Sequence, residues 1–496
     1  MLSEKLSDNI EKYDTSILIV DTDTEIVTEI GKFPDTYTSY DAVAETKTAI
    51  GCSIIGRTIL IVDTETGKVT KKRVSKAHWG YGSTAITGNK VVMGRCEKYK
   101  GTSILIVDTE KKTVTEKGGL SEANWGYDCT EVAGNKVVMG RGNQDGTSIL
   151  IIDTEKGTVT EKSGLPKSNW GFDSTAVAGN KVVMGCGNRV GSSILIIDPE
   201  KGAVIEKGGL SEARWGYKST VVVGNKVVMG NGYRGASILF IDPMKETVTE
   251  KLKAPKLRWT EYNYNTVAVV GNKVVIRPDH DSSIFIIDAE KETVTEKLGV
   301  YKPGQIYESQ MTVVGNKIVI GGYDEILIID TVKETVAKKR GFSGKNYRRE
   351  TVIGNKVVMG SGSSILIVDI EKGTVVEKNK LSGDSHDYII YAVVGNKAVM
   401  SCGRNVYSVC GDHSILIVDI IKGTIIEKSG LSKANWGYSS TRVVGNKVVM
   451  TGDTSILIID TEKGTVTEKE LPDAKWGYRI TTIVGNKVVL QERKEY

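Results

Sequence analysis

The stretch Ser174 to Lys207, STAVAGNKVVMGCGNRVGSSILIIDPEKGAVIEK, recurs with variation along nearly all of the 496 residues. No feature constrains the fold more. A unit of about 45 residues repeated many times cannot bury its apolar faces alone, so each copy must stack on its neighbours into one continuous array.

Each copy holds four short apolar runs. One run, typified by SILIVD, ends on Asp21, Asp63, Asp108, Asp153, Asp198, Asp242, Asp288, Asp330, Asp369, Asp419 and Asp460, which makes eleven copies. These runs are apolar without alternation, the pattern of a strand buried on both faces, so every sheet has to lie between two others. A turn such as DTEKGT follows, in which Asp can cap its own turn and Gly can take a left-handed conformation. Next comes a run such as TVTEK, whose Thr and charged residues suit an outer edge. The other hairpin is VVGNKVVMG, with a two-residue Gly-Asn turn matched to twisted antiparallel strands. Its lysine stands at Lys90, Lys136, Lys181, Lys226, Lys273, Lys317, Lys356, Lys397, Lys447 and Lys487, with Glu45-Thr46-Lys47 as a worn eleventh copy. Four strands per repeat and no helical period predict an all-β fold, a β-propeller of four-stranded blades.

The order of strand, Gly-Asn-Lys hairpin, SxxxxVID and TxTG strand resembles the propeller repeats of the YVTN and PQQ-type families over roughly residues 15 to 490. VVMG stands where the YVTN motif would fall. The resemblance implies that the Gly-Asn-Lys hairpin supplies the two inner strands, A and B, and that SILIVD and TVTEK supply the outer two, C and D. The chain opens on C and D, Ser16 to Glu29, and ends on A and B, Ile480 to Leu490. The expected architecture is therefore a single ring of eleven blades. Residues 1–14 form an N-terminal extension, residues 15–490 the propeller, with 477–490 and 15–30 sharing the closing blade, and 491–496 a tail. Two smaller propellers, for instance of five and six blades, are the alternative.

The 66 Lys and Arg against 61 Asp and Glu leave a net charge of +5 spread through all repeats, a mild pull toward anionic partners. The start MLSEKLSDNIEKYD lacks the pattern of a signal peptide, and no apolar run approaches the roughly 18 residues that span a bilayer, so the expectation is a soluble, cytoplasmic protein without membrane contact. Cys52, Cys96, Cys129, Cys186, Cys402 and Cys410 are too sparse for a disulfide framework; only Cys402 and Cys410, flanking one loop, could bridge in an oxidising setting. No cofactor or metal is expected.

Three sets of residues are candidate sites. Trp79, Trp125, Trp170, Trp215, Trp259, Trp436 and Trp476 end the connection between D and the next A; they read first as wedges between blades and second as a carbohydrate platform. The Gly-Asn-Lys lysines would ring the opposite face, as ordinary solvated hairpin residues or as an anion-attracting ring. No aromatics interleave with them, which makes nucleic acid an unlikely partner. Residues 260–413 lose WGY and acquire their own loops, carrying Asp279, His280, Asp281, Tyr323, Asp324, Glu325, Tyr347, Arg348, Arg349, His386, Asp387, Asp412 and His413 in connections that share one face. The leading expectation is a non-catalytic scaffold that binds a protein or other macromolecule through this sector. A lactonase- or lyase-like enzyme using His280, His386 or His413 is the alternative, although residues three blades apart converge poorly and no short ligand spacing occurs.

Overall fold

The structure is a computed structural model that describes residues 14–492 except 35–40, 45–46, 53–57, 64–65, 75–80, 96–101, 121–128, 142–146, 166–171, 187–191, 211–216, 232–236, 252–265, 278–281, 301–310, 322–324, 343–347, 362–363, 379–386, 404–414, 432–440, 453–454 and 473–476. The described residues form eleven four-stranded antiparallel sheets, each ordered A, B, C, D. Ten sheets use consecutive strands. The eleventh joins both ends of the chain: Asp14–Asp21 and Ile26–Pro34 pair onto Lys487–Glu492 and Tyr478–Val484. This closing sheet runs to Pro34 and Glu492, further than 15–30 and 477–490.

Blade-to-blade order follows from which strands meet. Each A strand touches the A strands before and after it, from Asp41–Ala44 through to Tyr478–Val484, which touches Asp41–Ala44 again. A is thus the innermost strand, and the circuit closes once. The fold is a β-propeller.

The C strands are buried throughout, as their unbroken apolar sequence requires; Ser192–Asp198 and Ser364–Asp369 are buried at every residue. D strands such as Thr335–Arg340 are largely exposed. The core is consequently not one body but eleven seams. In one seam Val138, Ile149 and Ile151 of one blade pack on Val182, Met184, Leu195 and Ile197 of the next. The alternating parity of a strand sends odd residues of a C strand to one seam and even residues to the other, so a sheet with both faces apolar is what a ring needs.

Both kinds of turn are set by residue chemistry. Ala133 pairs with Lys136 across Gly134-Asn135, and Gly134 has φ +61° while the asparagine does not, the pattern in which glycine must occupy the first central position of a two-residue hairpin. In the C–D turn the Asp carboxylate accepts from the backbone N–H groups two and three residues on, as Asp153 Oδ1 does from Glu155 and Lys156 at 3.1 and 2.9 Å. The residue four after the Asp takes a left-handed conformation. It is Gly in six blades but Glu25, Lys112, Glu246, Glu292 and Glu334 in the others, all with φ between 53° and 57°.

Candidate functional site

Every A–B and C–D turn lies at one end of the blades, and there the polar groups serve one another. Within a blade, the asparagine of the Gly-Asn turn reaches the acidic residues of the C–D turn: Asn446 Nδ2 donates to Glu462 at 3.0 Å, and Asn486 Nδ2 to Asp23 at 2.9 Å and Asp21 at 3.2 Å. Its backbone carbonyl also accepts from the threonine after the Asp, as Asn89 does from the Thr109 hydroxyl at 2.8 Å.

Between blades the lysine does the joining. Register places it directly opposite the C-strand Asp, Lys136 against Asp153 and Lys273 against Asp288, so it leaves the sheet at the turn end of the seam. Lys90 Nζ donates to the Thr154 carbonyl at 2.5 Å, Lys317 to that of Ile370 at 3.0 Å, Lys447 to that of Thr22 at 2.6 Å, and Lys397 to that of Thr461; all four acceptors belong to the next blade. At three of the four left-handed turn glutamates the lysine takes the carboxylate instead: Lys181 to Glu246 at 2.8 Å, Lys226 to Glu292 at 2.9 Å and Lys273 to Glu334 at 2.6 Å, whereas opposite Glu25, Lys447 keeps the Thr22 carbonyl and lies 3.2 Å from Asp23. Lys136 pairs with Asp153 of its own blade at 2.6 Å and lies 3.6 Å from Glu200 of the next. These eight lysines are therefore neither solvated hairpin residues nor a free anion-attracting ring. They are staples across the seams, and the expectation of an anionic partner there gains nothing from the geometry.

The staples bias protonation. The Lys226 hydrogen bond holds the Glu292 carboxyl below its ordinary value of 4.5, and the Lys273 bond does the same for Glu334. Burial pushes Asp153 upward, but the Lys136 hydrogen bond and the turn N–H groups outweigh it and the net shift is downward. A carboxyl held lower in the folded chain than in the unfolded one contributes stability above about pH 4.5 and loses it as the pH falls through the folded value. Melting temperature should therefore drop on acidification from about pH 5 to 3 more steeply in the native protein than in a Lys226→Met/Lys273→Met variant; parallel profiles would show that the two staples contribute nothing.

The residues singled out by sequence fare unevenly. All seven tryptophans, Asp279, His280, Asp281, Tyr323, Asp324, Tyr347, His386, Asp412 and His413 lie outside the described residues. So does His78, the remaining histidine. Arg348, Arg349 and Asp387 do not sit in connections but open the innermost strands Arg348–Ile353 and Asp387–Val394, because the inner strands start earlier than the Gly-Asn pattern indicates.

Glu325 needs correcting as a surface binding residue. It begins strand Glu325–Asp330 at 1% exposure, and Arg340 Nε donates to its Oε2 at 3.0 Å. In other blades this place is a serine whose hydroxyl donates to a D-strand glutamate, as Ser148 does to Glu161 and Ser455 to Glu468. Here the D strand has Lys338 in the glutamate's place and Arg340 beyond, so the polarity of the pair is reversed. Arg277 replaces the glycine of VVMG in the blade before and is also buried. Both departures fall within the divergent sector.

Sequence reasoning missed that three of the turn glutamates, Glu246, Glu292 and Glu334, receive lysines. A signal existed: Glu246, Glu292 and Glu334 stand where glycine is the chemically easy residue, and a left-handed glutamate needs a compensating partner. Among the described residues no three His, Cys, Asp or Glu side chains group as a metal site, and no helix is long and apolar enough to cross a membrane. Cys129 and Cys186 are present as thiols.

No protein-family model matches the chain, and no curated protein matches its sequence. Among solved structures it is similar to BamB from Moraxella catarrhalis, at 12% identity over 64% of this chain and 96% of that one, with a TM-score of 0.35. It is also similar to apo AztD from Citrobacter koseri, at 12% identity over 76% and 97% of the two chains, TM-score 0.33. A third is the dihydro-heme d1 dehydrogenase NirN in complex with DHE, at 14% identity over 71% and 77%, TM-score 0.35. These likenesses carry no functional argument, and the propeller architecture rests on sheet order and on the circuit of inner strands.

Proposed function

We propose that the chain is a non-catalytic interaction scaffold: a ring of eleven blades that presents a protein-binding surface on its D–A and B–C connections, chiefly in residues 260–413. The observation that carries this reading is the division of labour between the two ends of the blades. At the A–B and C–D end the lysines, asparagines and acidic residues are consumed in bonds within and between blades, which suits a structural rim. Chemistry that differs from repeat to repeat is left to the other end, where loops are variable and a rigid frame holds them, the usual division between scaffold and binding surface. The resemblance of the strand order to YVTN and PQQ-type repeats fits a repeat frame of this kind and names no ligand.

The test is an equimolar pull-down from cell extract that compares the native protein with a Tyr347→Ala/Arg348→Ala/Arg349→Ala variant of unchanged melting temperature. Loss of one or more specific partners is expected. Unchanged recovery, together with stoichiometric metal in the purified protein and a loss of activity on His280→Ala, would replace the scaffold by an enzyme.

A further inference from the structure

Two cysteines of neighbouring blades meet in one seam, at the end of the blades away from the lysine staples. Cys186 is buried in the apolar cluster around Val138, Ile149, Val182 and Leu195, and the half-buried Cys129 packs against the same cluster. Strand parity agrees: Cys129 shares a side with Ala133, and Cys186 shares one with Val182 and Met184, all three of them members of that cluster. A hydrogen bond sets the level. The Thr175 hydroxyl donates to Glu131 at 2.6 Å, and Thr175 is paired in its own sheet with Met184. Glu131 therefore stands level with Met184, and two residues further from the turns the same strands reach Cys129 and Cys186. Strands Cys129–Ala133 and Lys181–Cys186 bring Cα atoms within 8 Å of each other, near the roughly 4.4–6.8 Å that a disulfide spans.

The two residues are departures from the repeat that coincide. In the seam before, the equivalent places hold Ser83 and Arg141; in the seam after, they hold Ser174 and Asn231. This seam also differs at its other end. Its lysine, Lys136, gives its hydrogen bond to Asp153 of its own blade and lies 3.6 Å from Glu200 across the seam, the longest of the eight lysine contacts between blades.

We propose that Cys129 and Cys186 are a redox modification site, at which a peroxide-class oxidant joins the two thiols into a disulfide across the seam. Exposure sets the order, because a thiol that solvent reaches is oxidised first. The Cys129 sulfur attacks one peroxide oxygen; the S–O bond forms as the O–O bond breaks, leaving a sulfenic acid and one water. Cys186, sealed in the cluster, then attacks the Cys129 sulfur; the S–S bond forms, the S–O bond breaks and a second water leaves. The two sulfurs are oxidised by two electrons in all, the peroxide is reduced by the same two, and both thiol protons end in water. A dithiol reverses the bridge by exchange. The product is a covalent tie at the end of the seam that the lysine does not reach, and it stands independently of what the loops bind.

The test treats the folded full chain with a small excess of hydrogen peroxide, blocks remaining thiols, digests without reductant and identifies linked peptides by mass spectrometry. A peptide pair joined between Cys129 and Cys186, short of two hydrogens, is expected, and dithiothreitol should release it. Cys186→Ser should halt the reaction at the sulfenic acid, so that dimedone labels Cys129. Cys129→Ser should leave Cys186 unlabelled at the same dose. Serine occupies both places in other copies, as Ser83 and Ser361, so neither replacement is foreign to the fold. Absence of the linked pair in folded protein that has consumed peroxide, its appearance only after unfolding, equal linkage of either residue to another cysteine, or labelling of Cys186 in the Cys129→Ser variant overturns the proposal.

Discussion

Deleting residues 1–34 should open the ring. The deletion removes the C and D strands of the closing sheet, whose Ile17, Leu18 and Val20 are 0% exposed and Ile19 7%. Two seams lose their packing together, because Leu18 and Val20 face Val449, Ile456 and Ile458 while Ile17 and Ile19 face Val62. At about 1.5–3 kcal/mol per buried branched side chain, four such residues contribute on the order of 6–12 kcal/mol, an upper figure because the unfolded chain is itself partly compact. Polar ties go too: the Thr22 N–H and hydroxyl donate to the Asn486 carbonyl at 2.8 and 2.6 Å, and Lys447 loses its carbonyl acceptor. What remains is a bare Lys487–Glu492 edge, an unpaired row of N–H and C=O groups that templates association with other chains. Loss of the cooperative melt and concentration-dependent aggregation are expected in calorimetry and light scattering. A truncated chain that stays monomeric and melts within a few degrees of the native one would show that the terminal strands do not close the ring.

The converse variant locks it. In the closing sheet Thr22 N–H donates to the Asn486 carbonyl, so that pair is hydrogen-bonded, and alternation makes Ile19 and Val489 a directly opposed, non-hydrogen-bonded pair. The Cα separation of such pairs, about 4.5 Å, lies within disulfide reach, whereas Val488 faces Val20. Ile19→Cys/Val489→Cys should therefore cross-link on oxidation and run with altered mobility on a non-reducing gel. Because the bridge closes a loop of nearly the entire chain, the chain-entropy model gives about 6 kcal/mol of stabilisation, reduced by any strain and by the two lost side chains. A rise in melting temperature that reductant reverses is the expected readout. Single-cysteine variants control for the native thiols. Absence of the cross-link in folded protein would contradict the register and the closed ring with it.

The strands were legible because each property that defines them is local. An unalternating SILIVD, six residues long, rich in β-branched side chains and bounded by turn signals, reads as a strand covered on both sides, Gly-Asn and Asp-x-x-x-Gly are turn chemistry, and the order of halves at the two termini implies a shared sheet. The sequence also located the divergent sector, since it is a difference between copies that can be aligned by eye. It did not show what the lysines do. Lys226 and Glu292 are 66 residues apart, and nothing in the hairpin that holds Lys226 distinguishes a side chain turned to solvent from one crossing a seam. That choice depends on the distance between adjacent C–D and A–B turns, which ring closure sets. Glu325 was misread for the same reason: its neighbours in sequence resemble a loop, whereas its partner Arg340 lies across a strand pair.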